Sequence, residues 1–273
     1  MAPDALTAVY SDDLDGFTRC LDLPGAEPTM VYIHGLAMAS VPSFRHICAG
    51  QFLRDRRSLL IDLPGFGSSD RSTAFGYTIE DHAAAVITLL DHLAVRGGEV
   101  VGHSMGGSVA ILIASARPDL VRRLVIAEGN LDPGAGSMTG PIAAQTEEEY
   151  LNSGYQHDAA ALQASARSVD WSSPSVLRDM FQTSAAWAIH RSARSLIGPR
   201  QPTFREHLVA LHMPRVFIVG SDTAGAMEQI ASGEDGRALP PDVRRLIVPS
   251  AGHYMMFENP QGFTDAIVEA SSV

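Results

Sequence analysis

The chain has 273 residues and a mass of 29.1 kDa, with 45% apolar and 19% charged side chains, so it can bury a sizeable core and is not disordered over most of its length. Twenty basic residues, all of them arginine, against 31 acidic ones give a formal charge of −11. That balance repels phosphate backbones and argues against nucleic acid as a partner, and the lack of lysine excludes a lysine nucleophile or Schiff base.

Cys20 and Cys48 form no C-x-x-C pair and no cluster with histidine, so neither a disulfide framework nor a structural zinc is expected. The first sixteen residues hold no basic stretch followed by an apolar one, so no signal peptide is expected. The longest apolar run, Ala83–Leu90, falls far short of the roughly 18 residues that a membrane span needs. A soluble, cytoplasmic protein is the expectation.

In chain order, Met30–Ile33 and Ser58–Ile61 are short runs rich in β-branched and aliphatic residues, apolar throughout, and read as strands covered on both faces. Thr78–Arg96 has helical period: Thr78 and Asp81 stand at capping-box spacing, with Val86, Leu89, Leu90 and Leu93 on one face. Glu99–Val101 is the next strand, followed by a helix over Ser108–Arg117 that Pro118 stops. Leu124–Ala127 is a strand, and then the alternation fails. Residues 131–213 show no strand pattern but several helix starts: Thr146 with Glu149, Ser173–Pro174, and Thr203 with Glu206. Strands resume at Val216–Val219 and Leu246–Val248. The pattern predicts a doubly wound, mostly parallel α/β sheet built from residues 1–130 and 214–273, with a helical insertion over 131–213. Arg56–Arg57, Arg122–Arg123 and Arg244–Arg245 precede strands, which puts them at the N-terminal edge of the sheet as a solvated charged rim.

Chemistry concentrates at Gly102-His103-Ser104-Met105-Gly106, which follows one strand and opens a helix. In that setting G-x-S-x-G is a nucleophile elbow: the serine sits in a strained turn, and small residues flank it because neighbouring chain passes close on both sides. His103 is not expected to be the base, since a chain neighbour cannot easily turn back onto Oγ.

Together with His34-Gly35-Leu36, Asp62-Leu63-Pro64-Gly65-Phe66-Gly67-Ser68-Ser69 and Gly252-His253, the elbow resembles the α/β-hydrolase fold superfamily. The resemblance covers about Met30–Glu128 and Pro214–Phe263 and implies a cap for the insertion, between the sixth and seventh strands of that fold. It also implies oxyanion-hole N–H groups at Leu36 and Met105, with Ser104 as nucleophile and His253 as base. For the carboxylate two candidates lie at strand ends, Glu128 and Asp222. In the superfamily the Asp commonly stands three residues after the glycine that follows the seventh strand. Counting from Gly220 that place is held by Thr223, with Asp222 one short. Glu128 resembles the subgroup, zearalenone-type lactone hydrolases among them, whose acid is a Glu on the earlier strand. Glu128 is favoured, with Asp222 as the alternative.

No H-E-x-x-H, P-loop or G-x-G-x-x-G opening a helix is present, so no metal or cofactor is expected. A serine rather than an aspartate at the elbow argues against the dehalogenase and epoxide-hydrolase branches. The aromatic and methionine residues of the insertion and of Tyr254–Phe257 suggest an apolar pocket, with His34, Met138, Trp187 and Tyr254 as lining candidates. The expected activity is serine hydrolysis of a hydrophobic carboxylic ester, lactone or thioester, by a monomer or homodimer. Acyltransferase, lyase, perhydrolase or cofactor-free oxygenase chemistry on the same fold is the alternative, as is a ligand receptor with a residual triad.

Overall fold

The computed structural model describes residues 3–134, 136, 138–165, 174–223 and 239–272. Its centre is an eight-stranded sheet of β1 (Ala5–Ser11), β2 (Gly16–Leu23), β3 (Ala26–Ile33), β4 (Arg56–Asp62), β5 (Gly98–His103), β6 (Val121–Ala127), β7 (Arg215–Gly220) and β8 (Val243–Val248). The strand order is β1-β2-β4-β3-β5-β6-β7-β8. The pairs from β4 through β8 are all parallel, whereas β1 and β2 form an antiparallel hairpin that joins the sheet along β4.

The apolar strands are two-sided. Val31 and Ile33 of β3 pack into one cluster with Leu59, Ile61, Leu124 and Ile126. The helices α2 (Ile79–His92) and α3 (Met105–Ala116) cover that face with Val86, Leu89, Leu90, Val109 and Ile113. The alternate residues Met30 and Tyr32 enter a second cluster with Leu60, Val101 and Val125, beneath α1 (Ser40–Cys48) and the C-terminal helix. Each such side chain contributes about 1.5–3 kcal/mol when fully buried, and a strand apolar at every position gains on both faces.

The six predicted strands are β3 to β8. The hairpin was not predicted from the pattern, because β2 alternates Thr18, Arg19, Cys20, Leu21 and Asp22 beside a mostly exposed β1, and such mixed patterning carries no continuous apolar run. The capping box of α2 forms as expected, with Asp81 N–H donating to Thr78 Oγ1 at 3.0 Å and Thr78 N–H to Asp81 Oδ2 at 3.0 Å.

Between β6 and β7 the elements among the described residues are all helical: α4 (Thr139–Ala143), α5 (Glu147–Glu149), a π turn (Tyr150–Gly154), α6 (Tyr155–Ser165), α7 (Pro174–Gln182), α8 (Ala186–Ile197) and α9 (Phe204–Ala210). The expected boxes at Thr146/Glu149 and Thr203/Glu206 cap α5 and α9; Ser173 lies outside the described residues. α8 is tied to the loop after β4. Arg191 donates to the carbonyls of Thr73 and Phe75, Ser192 Oγ to that of Tyr77, and Ile79 N–H donates to Ser195 Oγ. After β8 come α10 (Met255–Glu258) and α11 (Pro260–Ser271). Among the described residues no helix is long and apolar enough to cross a membrane.

The arginines are not uniformly a solvated rim: Arg56 and Arg57 are half-buried against Glu99 and Asp22. Arg123 on β6 is buried, and its Nη1 donates to Glu99 Oε1 at 3.1 Å and to the Ser271 carbonyl at 3.0 Å. Ser271 Oγ donates to the other Glu99 oxygen at 2.6 Å, so the end of α11 roofs the ion pair. Arg56 Nη2 also lies 3.4 Å from Glu99 Oε1, so removing Arg123 leaves the buried carboxylate partly compensated. Arg123→Ala is therefore expected to cost about 2 kcal/mol of stability, read as a lower urea midpoint at an unchanged m-value.

Candidate active site

Four neighbouring strands, β5, β6, β7 and β8, end side by side, and each delivers one part of the site. Ser104 follows β5 and serves as N-cap of α3, with φ 52° and ψ −123°. Such a conformation is costly for a residue with a side chain and persists only where the surroundings impose it. Here Ser104 N–H donates to Ala127 O at 2.9 Å, and the turn is squeezed between chain segments. A Cβ on Gly102 would overlap the carbonyl of Gly106, and one on Gly106 would overlap the carbonyls of Ile33 and His34. This crowding is the reason for small residues on both flanks.

The loop after β3 lies against the elbow. A Cβ on Gly35 would stand 3.2 Å from Ser104 Cβ and 3.0 Å from His103 Nδ1. Leu36 follows in this loop, and Ala37 has φ 57°. Met105 is the first residue of α3, so its N–H belongs to the first turn, where helix donors have no intrahelical acceptor.

Glu128 leaves β6 with φ 49°, after its N–H donates to Ile218 O at 3.0 Å. Its buried carboxylate reaches across the end of β7: Oε1 accepts from Gly220 N–H at 2.9 Å and from the Thr223 hydroxyl. Oε2 lies 2.7 Å from His253 Nδ1. That partner fixes the tautomer, with Nδ1–H donating and the lone pair on Nε2. Burial pulls the Glu128 carboxyl upward, but the bonds from His253, Thr223 and Gly220 outweigh it and hold the carboxyl below its usual value. Asp222 does not reach His253. It is exposed, its N–H donating to Ala251 O at 2.9 Å and its Oδ1 accepting from Ser221 Oγ at 3.0 Å.

His103 is the residue whose part the sequence did not show. It is fully buried, its Nε2–H donates to the backbone carbonyl of His253 at 2.8 Å, and the two rings lie 4.7 Å apart. The loop bearing His253 is thus tied to the residue directly before Ser104. Burial, reinforced by the neighbouring His253, pushes His103 down to about 3, so it stays neutral.

The lining candidates separate. His34 is fully buried, its Nε2 accepting from Leu63 N–H at 3.0 Å and its Nδ1 donating to Gly35 O at 2.7 Å. Both ring nitrogens are engaged by backbone, so the ring braces the loop. Met138 and Trp187 are half-buried against the larger core cluster, and Tyr254 lies with its ring 5.3 Å from that of His253. Tyr150 and Phe181 are buried within the insertion, Tyr155 stacks on Phe181 at 4.9 Å, and Trp171 lies outside the described residues. Among the described residues no group of three or more His, Cys, Asp and Glu side chains could hold a metal ion.

The sheet order, the elbow and the strand-end side chains define an α/β hydrolase, and the chain belongs to that family, the α/β hydrolase fold, which it matches over residues 28–260. It is 27% identical to the sn-1-specific diacylglycerol lipase ABHD11 of Mus musculus over 256 residues, 90% of this chain and 82% of the mouse protein. It is 39% identical to the uncharacterized hydrolase YugF of Bacillus subtilis over 104 residues, a stretch covering 38% of this chain and 37% of YugF. Among solved structures, the N-acyl homoserine lactonase AidH superposes with a TM-score of 0.76 at 18% identity, over 98% of this chain and 96% of that one.

Two outcomes follow from the packing. Gly106→Ala is expected to lose about 2 kcal/mol or more, because the methyl group meets fixed backbone rather than a yielding side chain; thermal unfolding checks it. His82 is also fully buried and is pushed down to about 3 by burial, with the neighbouring His34 adding. Because the unfolded chain binds protons on these histidines near 6.5 and the native state near 3, stability falls as pH drops through that window. Between pH 6.5 and 5 the loss is expected to be about 2 kcal/mol for each of His82 and His103, seen as a steep fall in the denaturation midpoint that His82→Gln makes shallower.

Proposed function

We propose that the protein is a serine hydrolase that cleaves a carboxylic ester, lactone or thioester of a hydrophobic small molecule through an acyl-enzyme on Ser104. The observation that carries this reading is the 2.7 Å bond between His253 Nδ1 and Glu128 Oε2, made by a carboxyl held in its charged form. It leaves Nε2 free to take the Ser104 proton as Oγ attacks the substrate carbonyl. The N–H groups of Leu36 and Met105 receive the tetrahedral oxyanion, an arrangement worth roughly 10²–10³ in rate per donor. His253 then returns the proton to the leaving oxygen or sulfur. Water, deprotonated by the same nitrogen, attacks the acyl-enzyme; as the Ser104–acyl bond breaks His253 gives that proton to Ser104 Oγ, and the carboxylic acid departs. Glu128 keeps the imidazole in its working tautomer and stabilises the imidazolium.

The helical segment 131–213 serves in this reading as a cap over the strand ends, with Met138, Trp187 and Tyr254 as apolar lining. The family relationship supports hydrolysis. The names of the mouse lipase and the lactonase suggest ester and lactone bonds as the first substrates to test.

A fluorophosphonate probe is expected to label Ser104 covalently, with labelling lost in Ser104→Ala and suppressed in His253→Ala; label found on another residue overturns the assignment. On a p-nitrophenyl ester, Glu128→Gln is expected to lower kcat by about 10⁴, whereas Asp222→Asn changes it less than about twofold. The reverse pattern would transfer the acid to Asp222.

A further inference from the structure

Among the described residues, one side chain besides His253 hydrogen-bonds the Glu128 carboxylate. We infer that Thr223 is a positioning residue for the Glu128–His253 pair: its hydroxyl, with the Gly220 N–H, anchors Oε1 so that Oε2 faces the imidazole. The inference rests on the reading of Ser104, His253 and Glu128 proposed above.

The geometry carries it in three steps. First, the Thr223 hydroxyl has two acceptors within reach, Glu128 Oε1 and the Gly220 carbonyl at 3.1 Å. It has one proton, and the carboxylate is both the closer and the charged acceptor, so the proton goes there. Second, Oε1 then holds two donors from the end of β7, the Gly220 N–H at 2.9 Å and the hydroxyl. A carboxylate fixed at one oxygen by two donors of differing direction cannot rotate, and the second oxygen is presented to His253 Nδ1. Third, this restraint is needed because Glu128 starts one strand away, just after β6, and reaches its partners at the end of β7 and beyond it through a side chain with three rotatable bonds. Without the hydroxyl, a single backbone N–H holds Oε1, and the carboxylate gains rotamers that face neither β7 nor the imidazole.

Thr223→Val keeps the shape and removes the proton. Expected is a fall in kcat of about tenfold with KM unchanged, while Thr223→Ser, which keeps the hydroxyl, stays within about twofold of the parent. The low-field NMR signal of the His253 Nδ1 proton, sharp in the parent, broadens by exchange in Thr223→Val and stays sharp in Thr223→Ser. Thermal unfolding checks that both variants fold. An unchanged kcat with a sharp resonance in Thr223→Val overturns the inference, as does a Thr223→Ser variant as impaired as Thr223→Val. The NMR comparison is repeated in the Ser104→Ala background, where no turnover is required. If Ser104→Ala retains full activity the serine-hydrolase reading fails, while the resonance still reports on Thr223.

Discussion

The arrangement depends on one constraint: parallel strands in unbroken order place successive C-termini along one edge of the sheet. β5, β6, β7 and β8 lie next to one another, so the serine after the first, the carboxylate after the second, the backbone donor at the end of the third and the imidazole beyond the fourth come from a single row. No separate device is needed to bring distant parts of the chain together. What remains is to turn each side chain along the row, and the backbone does this with strained residues. Ser104, Glu128 and Ser250 all have φ near +50°, each just beyond a strand. A cost of about 1–3 kcal/mol at each is consistent with a row whose ends must bend rather than run on.

Histidine chemistry is divided between two rings close enough to touch. His253 is partly exposed and faces a charged carboxyl; His103 is sealed in the core and donates to the backbone of the first. Environment separates them: burial keeps His103 uncharged with its Nε2–H fixed on the backbone, while His253 Nδ1 bonds the Glu128 carboxylate. Two imidazoles at this spacing would repel if both were protonated, and the burial of one removes that competition.

Much of this was legible from residue patterns. Strands apolar at every position, capping boxes at Thr78, Thr146 and Thr203, and a glycine-flanked serine between strand and helix are local signals with local causes, and the structure contains each. The preference for Glu128 over Asp222 rested on Asp222 standing one short of the superfamily position and on the resemblance to the subgroup with a Glu on the earlier strand, and Glu128 is the one bonded to His253. Long-range partners were hidden. The β1–β2 hairpin alternates too weakly to be seen, and the burial of Arg123 depends on a C-terminal helix folding back over it. His34 looked like a site residue by its place in the motif, yet both its nitrogens are taken by backbone that no spacing reveals. Thr223 was conspicuous in the sequence only as a place where a carboxylate was sought; what it donates to depends on how far Glu128 extends.

The placement of the helical segment between β6 and β7 also bears on how the chain reaches its native state. The parallel neighbours β3 and β4 are joined through α1, and β5 and β6 through α3, but β6 and β7 can pair only after residues 128–214 have closed on themselves. Closing a loop of that length costs about 4 kcal/mol of chain entropy before any contact across it is gained. The part of the sheet from β2 to β6 can therefore form as a nucleus first, with β7 and β8 added afterwards as an outer flank. Glu128 waits at that boundary: its two donors and its imidazole all arrive with the late flank. A chain emerging from synthesis would carry Ser104 in its turn well before His253 arrives.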